Sequence, residues 1–400
     1  MMDTPERQDS RAPRFVLFSY GFRPFFLAAL AYALVAVVAW MSIWTRGVLP
    51  LPVFPAMLWH GHEMLFGFIA AAIAGFLLTA VPSWTGTKGF GGWPLAVLFV
   101  VWLCGRIAFA CAARLPSWVV ATAELAFLPG LALLIAIPLL RARNRNTPLL
   151  IVVGVIWLAD AVFLYSMAHG DVMLARTALL AGIDVVLLLV TVIGGRIVPA
   201  FTANALRRRG ISGEVRSSRW LDGATIAAMV LVVAVDTFVG TGWMAALVAG
   251  IAAVLHLARL AGWQGLRSLR EPIVWVLHVA YLWLPVGLAL KAVFLSTGAS
   301  WAADWLHALT VGTAATMIVA VITRASLGHT GRPLVVPNQV ALAYGLLGAA
   351  TLARAFATSL GPYREWAIWT AGGLWIAAFM LLLLAYAPIL LRPRADGRPG

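Results

Sequence analysis

Apolar stretches long enough to cross a lipid bilayer follow one another along almost the whole chain, with only short loops between them. A membrane-spanning helix needs about 20 such residues. Only 11% of the 400 residues are charged, against about a quarter in a soluble domain. Helices that are apolar on every face cannot all be buried in one soluble core, but lipid can surround them. The chain is therefore predicted to be all-α, a polytopic membrane helical bundle forming a single integral membrane domain over residues 1–400.

Twelve stretches meet this length requirement. They cover residues 24–45, 57–81, 93–113, 117–140, 148–168, 172–200, 220–240, 243–261, 272–295, 301–323, 337–358 and 365–391.

The basic residues predict how these spans are oriented. Of the 29 lysines and arginines, 21 fall at one set of span ends. Only four fall at the opposite ends, namely Arg46, Arg114, Arg176 and Arg364. Cytoplasmic loops are enriched in lysine and arginine, so both termini are predicted to be cytoplasmic, with tails at 1–14 and 392–400. The formal charge of +14 comes from these loops, so we expect no nucleic-acid partner.

A weak internal repeat accompanies the twelve spans. The second, sixth and tenth spans end on AGFLLTAVPSWTGT (74–87), IGGRIVPAFTANAL (193–206) and VITRASLGHTGRPL (321–334). Each ending is an apolar run that closes on threonine, glycine and proline, and the spacing is four helices each time. Three four-helix units are one interpretation. Features common to many helix ends are the other.

The cysteines exclude several kinds of centre. Cys104 and Cys111 are the two cysteines of the chain, and no CxxC or CxxCH motif occurs. A disulfide framework, a zinc ribbon and covalently attached haem c are therefore not expected. A non-covalent haem or a copper ion would instead need histidine ligands.

Three histidines lie towards the outer side of the predicted membrane. His60 and His62 open the second span in WHGHEMLFGF, and His307 lies near the start of the tenth. Residues two apart do not share a helix face. Both histidines of the HxH motif can thus bind one centre only if the helix begins irregularly; otherwise one binds and the other orients it or serves a second centre. Glu63 is a candidate proton group, or a carboxylate that orients a metal-binding histidine, or an acid in the first turn that satisfies the helix dipole.

A second set of histidines lies towards the cytoplasmic side. His256 and His278 lie roughly 8–9 Å along their helices from the cytoplasmic ends. His329 follows in a cytoplasmic loop and is a weaker candidate, and His169 lies at the outer interface. Histidines at matching depth can hold haem or a metal ion. A lone intramembrane histidine can also simply form a hydrogen bond between helices.

Other ionisable residues also fall inside the predicted spans. Arg106 and Arg196 are candidates for binding haem propionates, because a guanidinium group grips a carboxylate with two hydrogen bonds. Ordinary ion pairs between helices are the alternative. The remaining residues are Glu124, Asp160, Asp184, Asp236, Lys291 and Arg354.

Five long motifs resemble the NnrS family. They are SYGFRPFFLAAL (19–30), WHGHEMLFGF (59–68), GFLLTAVPSWTG (75–86), GGRIVPAFTANAL (194–206) and ITRASLGHTGRPL (322–334). The resemblance implies a twelve-span protein of the inner (cytoplasmic) membrane that contains haem b and copper. It also implies a link to denitrification and to defence against nitric oxide. Nitric oxide, the expected ligand, is small and apolar and can reach a buried metal through lipid.

A weaker analogy is with the haem–copper oxidases and respiratory nitric oxide reductases. Their catalytic subunits have twelve spans and hold a low-spin haem between the second and tenth. His62 and His307 occupy matching places here. The copper-binding histidines expected on the sixth and seventh spans are missing, so the analogy extends only to the fold.

Three functions are compatible with these observations. In the first, His62 and His307 bind haem with His60 adjacent, His256 and His278 form a second metal or haem site, and the protein acts on nitric oxide or its iron adducts. If it is an enzyme, it is a membrane oxidoreductase of the nitric oxide reductase type. The second is a twelve-helix secondary transporter with a path lined by Asp160, Asp184 and Lys291. The third is a protein that delivers haem or metal to denitrification reductases.

Overall fold

The structure is a computed structural model that describes residues 16–46, 55–211 and 214–397. Within these ranges it contains helices and no β-strand, which confirms the all-α membrane bundle. The predicted tail at 1–14 and the last three residues of the tail at 392–400 lie outside them.

Twelve long helical segments, here α1 to α12, follow one another in the described residues. Their bounds are α1 Phe22–Arg46, α2 Ala56–Thr85, α3 Trp93–Ala110, α4 Ser117–Arg141, α5 Leu149–Ala168, α6 Val172–Arg208, α7 Arg219–Phe238, α8 Trp243–Ala261, α9 Pro272–Thr297, α10 Ser300–His329, α11 Asn338–Ala355 and α12 Ala357–Leu391. All but α11 are long and apolar enough to cross a membrane. Helix α11 is less apolar because it begins with Asn338 and Gln339 and carries Arg354 near its end. Which side of the membrane each end faces stays a prediction.

Exposed tryptophans lie at the first or second residue of α3, α4, α7 and α8, and one, Trp366, follows the 3-10 turn at the start of α12. Trp93, Trp118, Trp220, Trp243 and Trp366 each expose at least 70% of their surface. Tryptophan prefers the interface between lipid and water, where its apolar ring and its N–H group are both accommodated. Their positions fit the boundaries of the spans.

The centre of the bundle is formed by α2, α6, α9 and α10, whose residues are mostly buried. The first and last helices pack against each other and bring the two ends of the chain together. Arg23, fully buried, donates hydrogen bonds from Nη1 to the carbonyl oxygens of Leu390 (2.9 Å) and Arg392 (2.8 Å). These bonds satisfy carbonyls left free at the end of α12, so the arginine of the SYGFRP motif has a structural role.

Helices α2 and α10 are interrupted by π-helical turns, at Glu63–Ile69 and Ala308–Ala315. A π-helical turn contains an extra residue and turns the following side chains by about 100° around the axis. Side chains bind carbonyls within these turns: Trp102 Nε1 donates to Gly67 O (3.2 Å), and Thr316 Oγ1 donates to Val311 O (3.0 Å). Helix α6 is one continuous α-helix, so the repeat of three four-helix units stays a prediction.

Candidate metal centres

Each π-helical turn begins directly after a histidine named in the sequence analysis. His62 precedes the turn in α2, and His307 precedes the turn in α10. Such turns are frequent at functional sites. Helix α2 is regular α-helix from Ala56 to His62, so the irregular start that would let both histidines of the HxH motif bind one centre is not found at these residues.

His60 and His307 are called the outer pair, after the side of the membrane that the sequence predicts for them. His307 lies within electrostatic range of His60, Arg354 and Arg364. The His60 ring stacks on Trp40 with 4.6 Å between ring centroids, and its buried Nδ1 has no hydrogen-bond partner in the described part of the chain. His60 thus offers a buried imidazole nitrogen without a partner among the described residues, and His307 is near enough to His60 and to two guanidinium groups for their charges to interact.

Arg354 is held in place by a carboxylate. Its Nη1 donates to Asp304 Oδ1 at 2.6 Å, and Asp304 Oδ2 accepts the backbone N–H of Thr358 at 2.8 Å. A partly buried arginine fixed in this way is pre-organised to bind an anion.

His62 has a different environment and is fully buried. Its Nδ1 lies 3.0 Å from Glu63 Oε1, and its Nε2 lies 3.0 Å from Asp160 Oδ1. The Phe109 ring stacks on it at 3.9 Å between centroids. Both nitrogens of His62 therefore face carboxylates. The two histidines of the HxH motif thus have different neighbours, because His60 stacks on Trp40.

The two arginines considered for haem propionates have protein partners. Arg106 is buried and donates from Nη1 to Glu63 Oε1 at 2.6 Å and from Nη2 to Glu124 Oε2. Arg196 is exposed and donates to Asn146 Oδ1 at 2.6 Å. These contacts are those of the ion-pair and hydrogen-bond alternative.

The inner histidines are each oriented by a hydroxyl group. His256 Nδ1 lies 2.8 Å from the Tyr281 hydroxyl, and His278 Nε2 lies 2.8 Å from Thr202 Oγ1. The other nitrogen of each ring, His256 Nε2 and His278 Nδ1, is buried without a partner in the described ranges. The Trp263 ring packs near both residues of α9, with its centroid 4.5 Å from that of Tyr281 and 6.5 Å from that of His278.

The two remaining histidines lie at the ends of helices. His329 ends α10, where its ring packs against Tyr20 and Phe22, and its carbonyl accepts Arg394 Nη1 at 2.8 Å. His169 is exposed, and its Nδ1 bonds to Tyr165 O at 2.8 Å.

A comparison with family models decides the classification of the chain. The model described as NnrS protein matches residues 16–394. The chain belongs to the NnrS family. No curated protein matches it. This NnrS protein therefore combines the expected multi-pass bundle with three buried histidines, His62, His256 and His278, and two half-buried ones, His60 and His307.

Sequence reasoning did not assign four partners of these histidines. Asp160 and Glu124 lie with His62, Tyr281 orients His256, and Arg354 lies near His307. Each of the three charged residues is an ionisable group inside a span, which is a signal of function. Which histidine it meets depends on how the helices are rotated, and that rotation is visible only in the fold.

Proposed function

We propose that this NnrS protein binds haem b and copper through histidines inside its bundle. We propose further that it acts on nitric oxide, or on the metal adducts of nitric oxide, during denitrification or nitrosative stress. The proposal rests on family membership and on one structural observation, the outer pair of His60 and His307 on two helices with π-helical turns. We place the protein in the inner membrane of the cell.

The outer pair fits a haem iron by its donor type. Imidazole is the common axial ligand of haem, and the buried Nδ1 of His60 lacks any other partner in the described residues. Arg364 would supply positive charge for propionates, whereas the charge of Arg354 is already balanced by Asp304. We assign His60 to this site rather than His62, because both nitrogens of His62 already face carboxylates. Haem would supply an iron that carries electrons when two histidines bind it and accepts a gas when one position is open.

The inner histidines fit copper because one nitrogen of each ring is held by a hydrogen bond and the other is available as a ligand. A metal-binding histidine usually has its second nitrogen held by a hydrogen bond. Tyr281 and Thr202 hold one nitrogen of His256 and His278, and the other nitrogen of each is buried and unpaired within the described chain. Arg259 supports this arrangement by donating from Nη1 to the Tyr281 hydroxyl at 3.1 Å.

An apolar cavity offers a route for a small apolar ligand. Its volume is about 70 Å³, and it is lined only by apolar residues of α1, α2, α6 and α10. Gly194 lines it, and a Cβ atom there would lie 3.4 Å from Tyr281 Cδ2. The pocket is partly open, and its apolar lining favours small apolar molecules over water. Gly194 therefore lies between the cavity and Tyr281, the partner of His256.

The test is an absorption spectrum with iron and copper analysis of the purified protein and five histidine variants. We expect His60→Ala and His307→Ala to lose most of the Soret band, and His256→Ala and His278→Ala to lose copper. His169→Ala, which changes an exposed histidine, is the matched control and should resemble the wild type. A folded wild-type protein without haem or copper would refute the proposal.

Anaerobic consumption of nitric oxide separates an enzyme from a carrier. With a chemical electron donor present, an oxidoreductase removes nitric oxide over many turnovers. A carrier that delivers haem or metal binds it once per centre and then stops. The wild type and His307→Ala, measured together, connect either behaviour to the outer pair.

A transporter is the second candidate, and buried charges favour it. Lys291 on α9 pairs with Asp236 on α7 and lies within electrostatic range of Asp184 on α6. Charged groups inside spans commonly mark ion pathways. Of the path considered from the sequence, Lys291 and Asp184 come together, whereas Asp160 contacts His62. Proton or ion uptake into proteoliposomes that is abolished by Lys291→Met would support this candidate.

A further inference from the structure

A buried cluster of five ionisable residues joins α2, α3, α4 and α5. Its members are His62, Glu63, Arg106, Glu124 and Asp160, and each exposes 6% or less of its surface. The cluster contains three carboxyl groups and one guanidinium group. When all three carboxyl groups are ionised and the imidazole is neutral, it carries two excess negative charges. Uncompensated charge is very costly inside a protein, and more so in a membrane.

The contacts of His62 indicate a positive charge between its ring and Asp160. A neutral imidazole has one N–H group and one acceptor nitrogen. If Nδ1–H donates to Glu63, the Nε2 lone pair faces Asp160 Oδ1 at 3.0 Å. Two acceptors at this distance repel each other unless a proton or a metal ion lies between them.

The spacing of the acceptors suits a metal ion. Imidazole nitrogen and carboxylate oxygen bind such ions at about 2.0–2.2 Å. Two neighbouring ligands of one ion then lie about 3 Å apart, as His62 Nε2 and Asp160 Oδ1 do. One ligand atom each from His62, Asp160 and Glu124 lies within 4.8 Å of the other two.

Glu124 supplies an independent observation. Its side chain is buried, with one oxygen bonded to Arg106 Nη2 and the other, Oε1, without a partner among the described residues. Gly105 lets the carboxylate approach, since a Cβ atom there would lie 3.3 Å from Glu124 Oε2. A buried carboxylate oxygen without a donor has the properties of an available metal ligand.

We propose that His62, Asp160 and Glu124 bind a divalent transition-metal ion. Two positive charges from the ion and one from Arg106 balance the three carboxylates, so the loaded cluster is neutral. Glu63 accepts the Nδ1–H of His62 and holds its Nε2 towards the metal, as carboxylates do in other histidine–metal sites. One nitrogen and several oxygens suit manganese, iron, zinc or copper in the divalent state. This site is additional to both histidine pairs and does not depend on haem binding.

The experiment measures metal binding to the purified full-length protein after treatment with a chelator. Mn²⁺ is titrated in, and free Mn²⁺ is followed by its electron paramagnetic resonance signal. We expect one Mn²⁺ per chain in the wild type. Glu124→Gln and Asp160→Asn should weaken its affinity at least tenfold, and Glu63→Gln by about 10–100-fold. Asp184→Asn changes an equally buried carboxylate outside the cluster and should bind as the wild type does.

Thermal stability gives a second readout. The chelator should lower the Tm of the wild type more than that of Glu124→Gln. In both it removes the copper proposed at the inner histidines, but only in the wild type does it also leave two uncompensated charges in the cluster. Haem content is measured in every sample, so a failed haem assignment is distinguishable from a failed metal site. Equal Mn²⁺ binding by Glu124→Gln and the wild type would overturn the proposal. So would a wild type that binds neither Mn²⁺ nor Zn²⁺, since protons would then balance the cluster.

Discussion

Replacing Arg106 with methionine tests whether the buried charges hold α2, α3 and α4 together. Arg106 on α3 bridges two carboxylates, Glu63 on α2 and Glu124 on α4. Methionine fills similar space but donates no hydrogen bond. The substitution therefore leaves both carboxylates buried without their shared cation.

The expected cost follows from the burial of the three groups. Arg106 exposes 6% of its surface, Glu124 3% and Glu63 2%. Removing one partner of a buried ion pair typically costs about 3–5 kcal/mol, because the other charge stays in the interior. Two carboxylates are stranded here, so we expect at least that loss in the free energy of unfolding. Arg106→Lys should lose less, since it keeps the charge but cannot grip two carboxylates with one planar fork.

The assay is equilibrium unfolding in mixed detergent micelles, followed by tryptophan fluorescence. Arg196→Met is the control, because Arg196 is exposed and bonds only to Asn146 among the described residues; it should cost less than about 1 kcal/mol. The triple variant Arg106→Met/Glu63→Gln/Glu124→Gln removes the stranded charges and should recover most of the loss. If Arg106→Met costs no more than Arg196→Met, or the triple variant is as unstable as the single one, the reasoning is wrong.

Two further predictions concern a buried ion pair and a close packing contact elsewhere in the bundle. Lys291→Met strands the carboxylate of Asp236 and should cost about 3–5 kcal/mol, and adding Asp236→Asn should restore stability in the same unfolding assay. Gly312→Ala places a Cβ atom 2.7 Å from Trp283 Cβ and should cost about 1–3 kcal/mol. Gly345→Ala meets nothing within 4 Å and should stabilise the protein slightly; equal effects of the two alanines would contradict the packing at Trp283.

The membrane fold follows from the sequence because its signals are local. Each span is recognised from about 20 consecutive apolar residues, and the predicted ranges agree with the helices to within a few residues except at some ends. The largest differences are at the ends of α6, which runs on to Arg208, and of α10, which runs on to His329, and at the start of α12, which begins at Ala357. At the ends of α6 and α10, polar residues continue the helix into the loop, and hydropathy gives no signal of it.

The site was predictable only in part, because a histidine's partners depend on helix rotation. Depth along the predicted spans divides the histidines into an outer and an inner set, which stays a prediction, and it treats His60 and His62 as neighbours. In the fold they face Trp40 and Asp160 respectively. The π-helical turn after His62 has no reliable sequence signature, and it sets which faces of α2 meet which helices.

Rescue of the outer histidine variants with free imidazole tests the central proposal most directly. His60→Gly and His307→Gly each leave a gap the size of one imidazole ring beside the proposed haem. We expect both purified variants to lose most of their Soret absorption, and added imidazole to restore it during haem reconstitution. His169→Gly should keep its spectrum without imidazole. If both variants retain the wild-type haem content and spectrum in the absence of imidazole, His60 and His307 do not bind the haem.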